Sequence, residues 1–326
     1  MNKTAVYHSS LFKEDLIYLN NKIYSFEPEI HSKKIGVTET FLSGAEDYFN
    51  KFQNFDYLSK LMLETFTRLN FVPSGTIIDL GSGFGNTVIP LLEKYADINV
   101  IATDISPQLL EILMREASFR GLEDRCIAVA QDAQVCYFNP QIADLVLGCA
   151  VLHHMIDPQA ALESCLFALK SGGKAIFFEP FEMGSQVLRI AYNQILSQAS
   201  NREKRMPAFV FLQGISNDIN ARTKRDSTPE YRDIWKNLDD KWMFTYEHFH
   251  SIAKNLNCKV EIFPLHDQVD QFTRHTRQIL VNYAGLKADD LPSWAYEIIQ
   301  SFDREYFSTE GLKSLPIEAC VVVTAN

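Results

Sequence analysis

Long apolar runs are missing from this sequence. No window approaches the roughly 18 uninterrupted apolar residues of a membrane-spanning helix, so neither a membrane-integral protein nor a membrane partner is expected. The first thirty residues scatter charged and polar groups through MNKTAVYHSSLFKEDLIYLNNKIYSFEPEI and hold no apolar core of signal-peptide length, which argues against secretion. Paired cysteine motifs are missing too. The six cysteines, at 126, 136, 149, 165, 258 and 320, include no C-x-x-C, and several fall in apolar runs where buried free thiols in a reducing cytoplasm are the expectation. Positive charge is in deficit: 31 Lys and Arg stand against 41 Asp and Glu, a formal net charge of −10, which excludes a generally basic surface and any expectation of a nucleic-acid partner. There is no internal repeat and no low-complexity tract. What is present, 326 residues of which 46% are hydrophobic, suffices for a full core with substantial insertions.

Residues 1–70 read as a mostly helical cap or lid, because Leu58, Leu61, Met62, Thr65, Phe66 and Leu69 follow the i, i+3, i+4, i+7 stripe. From 71 to 180 the texture changes. The apolar runs TIIDL, NVIATDI, RCIAVAQ, ADLVLGCAV and KAIFFEP alternate with amphipathic helical stretches, which predicts an α/β core with a parallel sheet covered on both faces. Ser106-Pro107 and Asp157-Pro158 place an N-cap residue before proline at the first helical position, and Gly121 and Gly172 stand where those helices should stop. Residues 181–242 lose the alternation and read as a helical insertion with two basic clusters, NREKR and ARTKR. The segment 243–326 completes the core sheet with KVEIFPL and EACVVVT, around a second helical insertion at about 267–316.

Ligands of an open parallel sheet bind at the carboxyl ends of its strands. The first strand ends at Asp79 and turns through Gly81, Gly83 and Gly85; a dinucleotide fingerprint G-x-G-x-x-G would need glycine at 86, where this chain has Asn86. Asp79 would also repel a pyrophosphate: unit charges about 4 Å apart interact by roughly 4 kcal/mol at an effective dielectric near 20. The same carboxylate favours an ammonium or sulfonium. The second strand ends at Asp104, nineteen residues past Gly85, close to the spacing at which an acid accepts from ribose hydroxyls; its structural alternative is helix N-terminal electrostatics. The third ends at Gln131-Asp132-Ala133, where Asp132 suits an adenine amino group and the Ala133 backbone the ring edge; alone, Asp132 would be a turn residue.

The segments IIDLGSGFGNT, IATDISP, AQDA, ADLVLGCAVLHHMIDP and LKSGGKAIFFEP, in this order and at these intervals, resemble the motifs of class I S-adenosylmethionine-dependent methyltransferases over about a hundred residues. The resemblance implies a Rossmann-like, seven-stranded, doubly wound sheet, mostly parallel, with the last strand antiparallel. It implies S-adenosyl-L-methionine as cofactor and S-adenosyl-L-homocysteine as product. Carried over, Gly81, Gly83 and Gly85 approach the methionine part, Asp79 its amino group, Asp104 the ribose, and Asp132 the adenine amino group. Ile105 packs on the adenine, and Cys149 and Ala150 line the methionine side through their backbone.

His153-His154 follow the fourth strand, beside the position where the family places the reacting methyl. No metal is expected, since adjacent side chains should diverge. His153 is read as packing in the loop, on the substrate side; His154 is either a general base for a hydroxyl nucleophile or a second loop-ordering residue. Tyr48 in the N-terminal helices, and Arg189, Tyr231 and Trp242 in the 181–242 lid, are candidate acceptor contacts, although basic clusters often form solvated faces and aromatic stripes core. The expected activity is methyl transfer by in-line displacement to a small or medium-sized metabolite, at a hydroxyl or carboxylate oxygen. The accessory helices resemble those of enzymes acting on glycosides and secondary metabolites. The alternatives are transfer to nitrogen, a tRNA or protein acceptor, and a non-catalytic nucleotide-binding protein, the last disfavoured by Asn86 and Asp79.

Overall fold

The computed structural model describes residues 6–7, 10–27, 39–265, 269–308 and 315–325. The chain divides into two compact units, one of Met1–Phe178, Glu247–Glu261 and Val321–Asn326, the other of Glu179–Tyr246 and Ile262–Cys320.

In the first unit, β1 (Val6–Tyr7), β2 (Leu16–Asn20), β3 (Ile23–Ser25), β4 (Gly75–Leu80), β5 (Ile98–Asp104), β6 (Cys126–Ala130) and β7 (Ala143–Cys149) form one sheet with β8 (Leu169–Pro180), β9 (Cys258–Pro264) and β10 (Glu318–Ala325). Its order is β1-β2-β3-β6-β5-β4-β7-β8-β10-β9. The strands β6, β5, β4, β7 and β8 pair in parallel, as the alternation of strands and helices predicts, and the residues of β4 from Ile77 to Leu80 are all buried. The expected Rossmann-like α/β architecture is therefore present, with ten strands among the described residues where seven were expected.

The additional strands correct the reading of residues 1–70 as mostly helical. LIYLN and IYS are rich in β-branched and aromatic residues, and Asn21 (φ 43°) with Lys22 (φ 64°) closes them into an antiparallel hairpin through a two-residue turn whose central residues both have positive φ. Ile23–Ser25 then pairs in parallel with Ala128–Ala130 and prolongs the sheet. Helical structure begins later, with α1 (Ala45–Phe52) and α2 (Phe55–Arg68), and α2 buries Leu58, Leu61, Met62, Thr65 and Phe66 as its stripe predicts.

Helix α3 (Val88–Lys94) follows β4, and α4 (Pro107–Phe119) follows β5 with Ser106 Oγ accepting from the Leu109 N–H at 3.1 Å. Helix α5 (Pro158–Ala168) is capped by Asp157, but it stops at Ala168, short of Gly172. The chain enters β8 at Leu169, and Gly172 (φ 80°) occupies an irregularity between the pairs Ala143–Leu169 and Leu145–Lys174, a use of glycine inside a strand.

The second unit is helical, with α6 (Glu182–Gln198), α7 (Pro207–Thr223), α8 (Pro229–Lys236), α10 (Gln271–Asn282) and α11 (Ser293–Ser308); α9 (Tyr246–Asn255) falls almost wholly in the first unit. Its core gathers Leu188, Tyr192, Ile195, Phe209, Leu212, Phe272, Leu280 and Ile299. Tyr192 is fully buried and shares a 2.9 Å hydrogen bond with Thr276, which meets the requirement that a buried hydroxyl be paired. The bounds of the second helical insertion, near 267 and 309–314, lie outside the described residues.

Candidate cofactor site

The end of β4 is built around one acid. Asp79 is 1% exposed; its Oδ2 accepts from Thr87 Oγ1 at 2.7 Å, while its Oδ1 is buried with no hydrogen-bond partner. Burial pushes the Asp79 carboxyl up from its ordinary 3.8 to about 7, against the lowering effect of the hydrogen bond from Thr87 and of the nearby Ser82 hydroxyl, and with the neighbouring Asp104 charge adding to the rise. An unpaired buried carboxylate oxygen costs free energy unless a donor meets it, and a cationic donor meets it best.

The glycine turn is tied down by its own polar residues. Ser82 Oγ donates to the Asp79 carbonyl (2.9 Å) and accepts from the Thr103 N–H (3.1 Å), and the Ser82 N–H donates to the Thr103 carbonyl (2.8 Å). All three glycines have positive φ: Gly81 66°, Gly83 51° and Gly85 98°. Their surroundings differ. A Cβ on Gly81 would lie 2.2 Å from Val151, so this glycine lets the loops after β4 and β7 touch, and one on Gly85 would press on Leu113 and Ile89 at 3.1 and 3.2 Å. A Cβ on Gly83 would meet nothing within 4 Å, so the open side of the turn is there.

Asp104 and Asp132 both have local work. Asp104 accepts from the Gly83 N–H through Oδ2 and from the Ser106 N–H through Oδ1, each at 2.8 Å, which clasps the glycine turn to the start of α4. Burial raises its pKa and the N–H donors of Ser106, Gly83 and Ile105 pull it back. A carboxylate has about four acceptor sites, so the protein's own N–H donors do not use all of them. Asp132 Oδ1 accepts from the Gln134 backbone (2.9 Å) and side chain (3.1 Å), the turn role foreseen as its alternative. Ile105 and Ala133 are half-buried beside these acids. Beyond β7, Cys149 is half-buried, and the exposed Ala150 holds φ 54° while its N–H donates to the Phe178 carbonyl at 2.9 Å. A left-handed alanine is strained backbone, maintained here at a strand end.

The histidines follow on a 3-10 turn, Leu152–His154. The expectation that their side chains diverge is wrong. The tight turn sets the rings 4.1 Å apart, centroid to centroid, tilted by 39°. Divergence therefore gives no argument against metal binding. His153 is buried; His154 is half-buried and meets the Phe41 ring edge-on at 5.8 Å.

Tyr48 is brought to this rim. Its ring lies 5.1 Å from Phe41, 4.9 Å from Phe52 and 5.7 Å from Phe84 of the glycine turn. Arg189, Tyr231 and Trp242 belong to the second unit. Arg189 donates to Asn220 Oδ1 (2.9 Å) and Gln186 Oε1 (3.3 Å), Tyr231 carries the Lys224 ammonium 5.6 Å from its ring centroid, and Trp242 stacks with Phe244 and takes the Arg225 guanidinium at 3.8 Å.

Two residues escaped the sequence reading. Asn86, noted there only as a missing glycine, accepts from the Asn54 N–H at 2.9 Å and donates to the Phe52 carbonyl at 3.1 Å. Gln131, beside Asp132, is buried with both amide atoms unpartnered. An asparagine in a glycine-rich turn and a glutamine at a strand end were the available signals.

A buried acid with a free oxygen, an open-sided glycine turn and acids at three successive strand ends fit S-adenosylmethionine. Residues 78–175 match the family model of a methyltransferase domain. Over that segment the chain is thus similar to a methyltransferase domain, and the strand-end acids suit S-adenosylmethionine as its cofactor. Among curated proteins, the chain is 30% identical over 119 residues to the ubiquinone biosynthesis O-methyltransferase of Idiomarina loihiensis, covering 34% of this chain and 47% of that protein. It is 32% identical over 111 residues to the tRNA N(3)-methylcytidine methyltransferase Mettl2 of Drosophila melanogaster, covering 31% of this chain and 33% of that protein. Both matches span less than half the length of the relative. The solved structure of Haemonchus contortus phosphoethanolamine N-methyltransferase 2, in complex with phosphomonomethylethanolamine and S-adenosylhomocysteine, shares the fold with a TM-score of 0.52 at 13% identity, over 87% of this chain and 57% of that one.

Proposed function

We propose that the chain transfers the methyl group of S-adenosylmethionine to an oxygen of a small or medium-sized metabolite. The observation that carries this reading is the buried Asp79 Oδ1, which calls for a cationic donor beside the glycine turn. When bound, the cofactor supplies an electrophilic methyl on a sulfonium, and the protein's task is to align the acceptor and keep water out. Asp79 would hold the amino group, Asp104 would offer its remaining acceptor capacity to the ribose hydroxyls, and Asp132, Ala133 and Ile105 would surround the adenine. Cys149 and Ala150 border the methionine side. His154 takes the proton of an acceptor hydroxyl at a ring nitrogen, next to the aromatic edge formed by Phe41 and Tyr48. Within residues 181–242, Arg189, Tyr231 and Trp242 are the candidates for acceptor contact, and their cationic and aromatic surroundings suit an anionic or aromatic compound.

A tRNA acceptor is the second reading, favoured by the match to a tRNA methyltransferase and opposed by a formal net charge of −10. Methyl-labelled S-adenosylmethionine offered with bulk tRNA and with a panel of phenols, quinols and carboxylic acids separates the two. Label in the small-molecule fraction alone is the expected result, and label in tRNA alone would overturn it. Once an acceptor is found, His154→Gln should lower kcat by about 100-fold or more with a changed pH profile if His154 is the base. A loss of only a few-fold leaves it the role of ordering the loop.

A further inference from the structure

The glycine turn has a second face. Its glycines alternate with larger residues, and two of these, Phe84 and Asn86, hold the N-terminal helices. Phe84, 3% exposed, packs edge-on against Phe49 at 5.2 Å and Tyr48 at 5.7 Å. Asn86 presents its amide to the short link between α1 and α2 and satisfies both an N–H and a carbonyl there, at Asn54 and Phe52. The other end of the same segment is fastened where Ser106 Oγ donates to the Phe41 carbonyl. The segment from Phe41 to Asn54 is thus pinned at both ends to residues adjoining Gly85 and Asp104, and it carries Phe41 against His154.

We infer that Asn86 is a positioning residue: its two hydrogen bonds to the α1–α2 link make the seating of the Phe41–Asn54 segment, with Phe41 beside His154 and Tyr48 against Phe41, follow the conformation of the glycine turn. This rests on reading that turn as the cofactor loop. A glycine at 86 would leave the turn free to bind its ligand and cut the tie to the helices. The amide is suited to the task because it both donates and accepts in a fixed plane, matching one carbonyl and one N–H. Asn86 reaches no ligand in this scheme; it acts through Phe52 and Asn54.

The test compares wild type, Asn86→Gly and Asn86→Asp by calorimetric binding of S-adenosylhomocysteine and by amide hydrogen exchange of residues 45–54 with and without it. Wild type should bind, and binding should slow exchange across 45–54 by about tenfold. In Asn86→Gly affinity should stay within about threefold of wild type while the ligand-dependent slowing largely disappears. Asn86→Asp keeps the acceptor toward Asn54 and loses the donor toward Phe52; it should lose most of the slowing too, and it carries the test if the glycine variant folds poorly. A merely structural asparagine would raise exchange equally with and without ligand, and that result overturns the proposal. So does ligand binding to wild type without slowing at 45–54. Failure of wild type to bind S-adenosylhomocysteine defeats the cofactor reading itself, and is told apart because no binding heat appears.

Discussion

The rim of the sheet and the helical unit each contain a dense polar cluster, and the two are built differently. At the ends of β4 and β5 nearly every donor is matched to an acceptor of the loop, yet one oxygen of Asp79 is left buried without a partner. In the helical unit the cations largely answer to groups of their own unit. Arg222, 5% exposed, donates to the Trp242 carbonyl and lies 3.4 Å from Asp218, and Arg225 pairs with Asp226 at 2.9 Å beneath the Trp242 ring. Lys241, 1% exposed, donates to the Leu238 carbonyl at 2.6 Å. Only the Nε atoms of Arg189 and Arg222 are buried without a partner in that cluster. An acceptor with an empty position and a raised pKa is arranged for a ligand; cations whose other nitrogens are engaged are arranged first for their own fold.

Replacing Asp79 should break this contrast most. Asp79→Asn keeps the shape and removes the charge, so S-adenosylhomocysteine affinity should fall by about tenfold to a hundredfold, the worth of a hydrogen bond to a charged group. The unliganded variant should melt no lower than wild type at pH 8, because the desolvated carboxylate is gone. Equal affinity in a titration of the two proteins would show that Asp79 holds no cation.

A smaller effect follows from the same carboxyl titrating near pH 7. Binding a cationic amino group requires ionised Asp79, so affinity should strengthen as pH rises from 5 to 7, by at most about tenfold per unit, and level off above. Protons should be released on binding, visible as a dependence of calorimetric heat on the buffer. The unliganded protein shows the opposite sign. A raised folded pKa in an acid favours the protonated native state, so this contribution to stability is complete below about 3.8 and is lost as pH climbs to about 7. Asp79→Asn should flatten both profiles.

The rim was the part most open to reading from sequence. Acids ending three strands, caps followed by proline at Ser106 and Asp157, and apolar runs of strand length are local signals, and their structural counterparts lie where those signals put them. What stayed hidden depends on distant partners. The hairpin of Leu16–Ser25 turns through Asn21-Lys22 without a glycine, and its reward is pairing with a strand a hundred residues away. Asn86 reads two backbone groups more than thirty residues earlier, a role its neighbours in sequence do not announce. The close His153–His154 rings follow from a 3-10 turn that apolar periodicity does not detect.

The least change in cofactor affinity belongs to the helical unit, and it sharpens the contrast from the other side. Arg222→Ala removes the donor to the Trp242 carbonyl and the partner of Asp218, so the protein should lose about 1–3 kcal/mol of stability, read from denaturant midpoints. Its affinity for S-adenosylhomocysteine should stay within about twofold of wild type, since a charge engaged by its own fold has none left for the cofactor. A tenfold loss of affinity with unchanged stability would reverse the assignment and make this cluster part of the ligand's site. Stability lost with affinity kept leaves Asp79 as the acid whose partner comes from outside the chain.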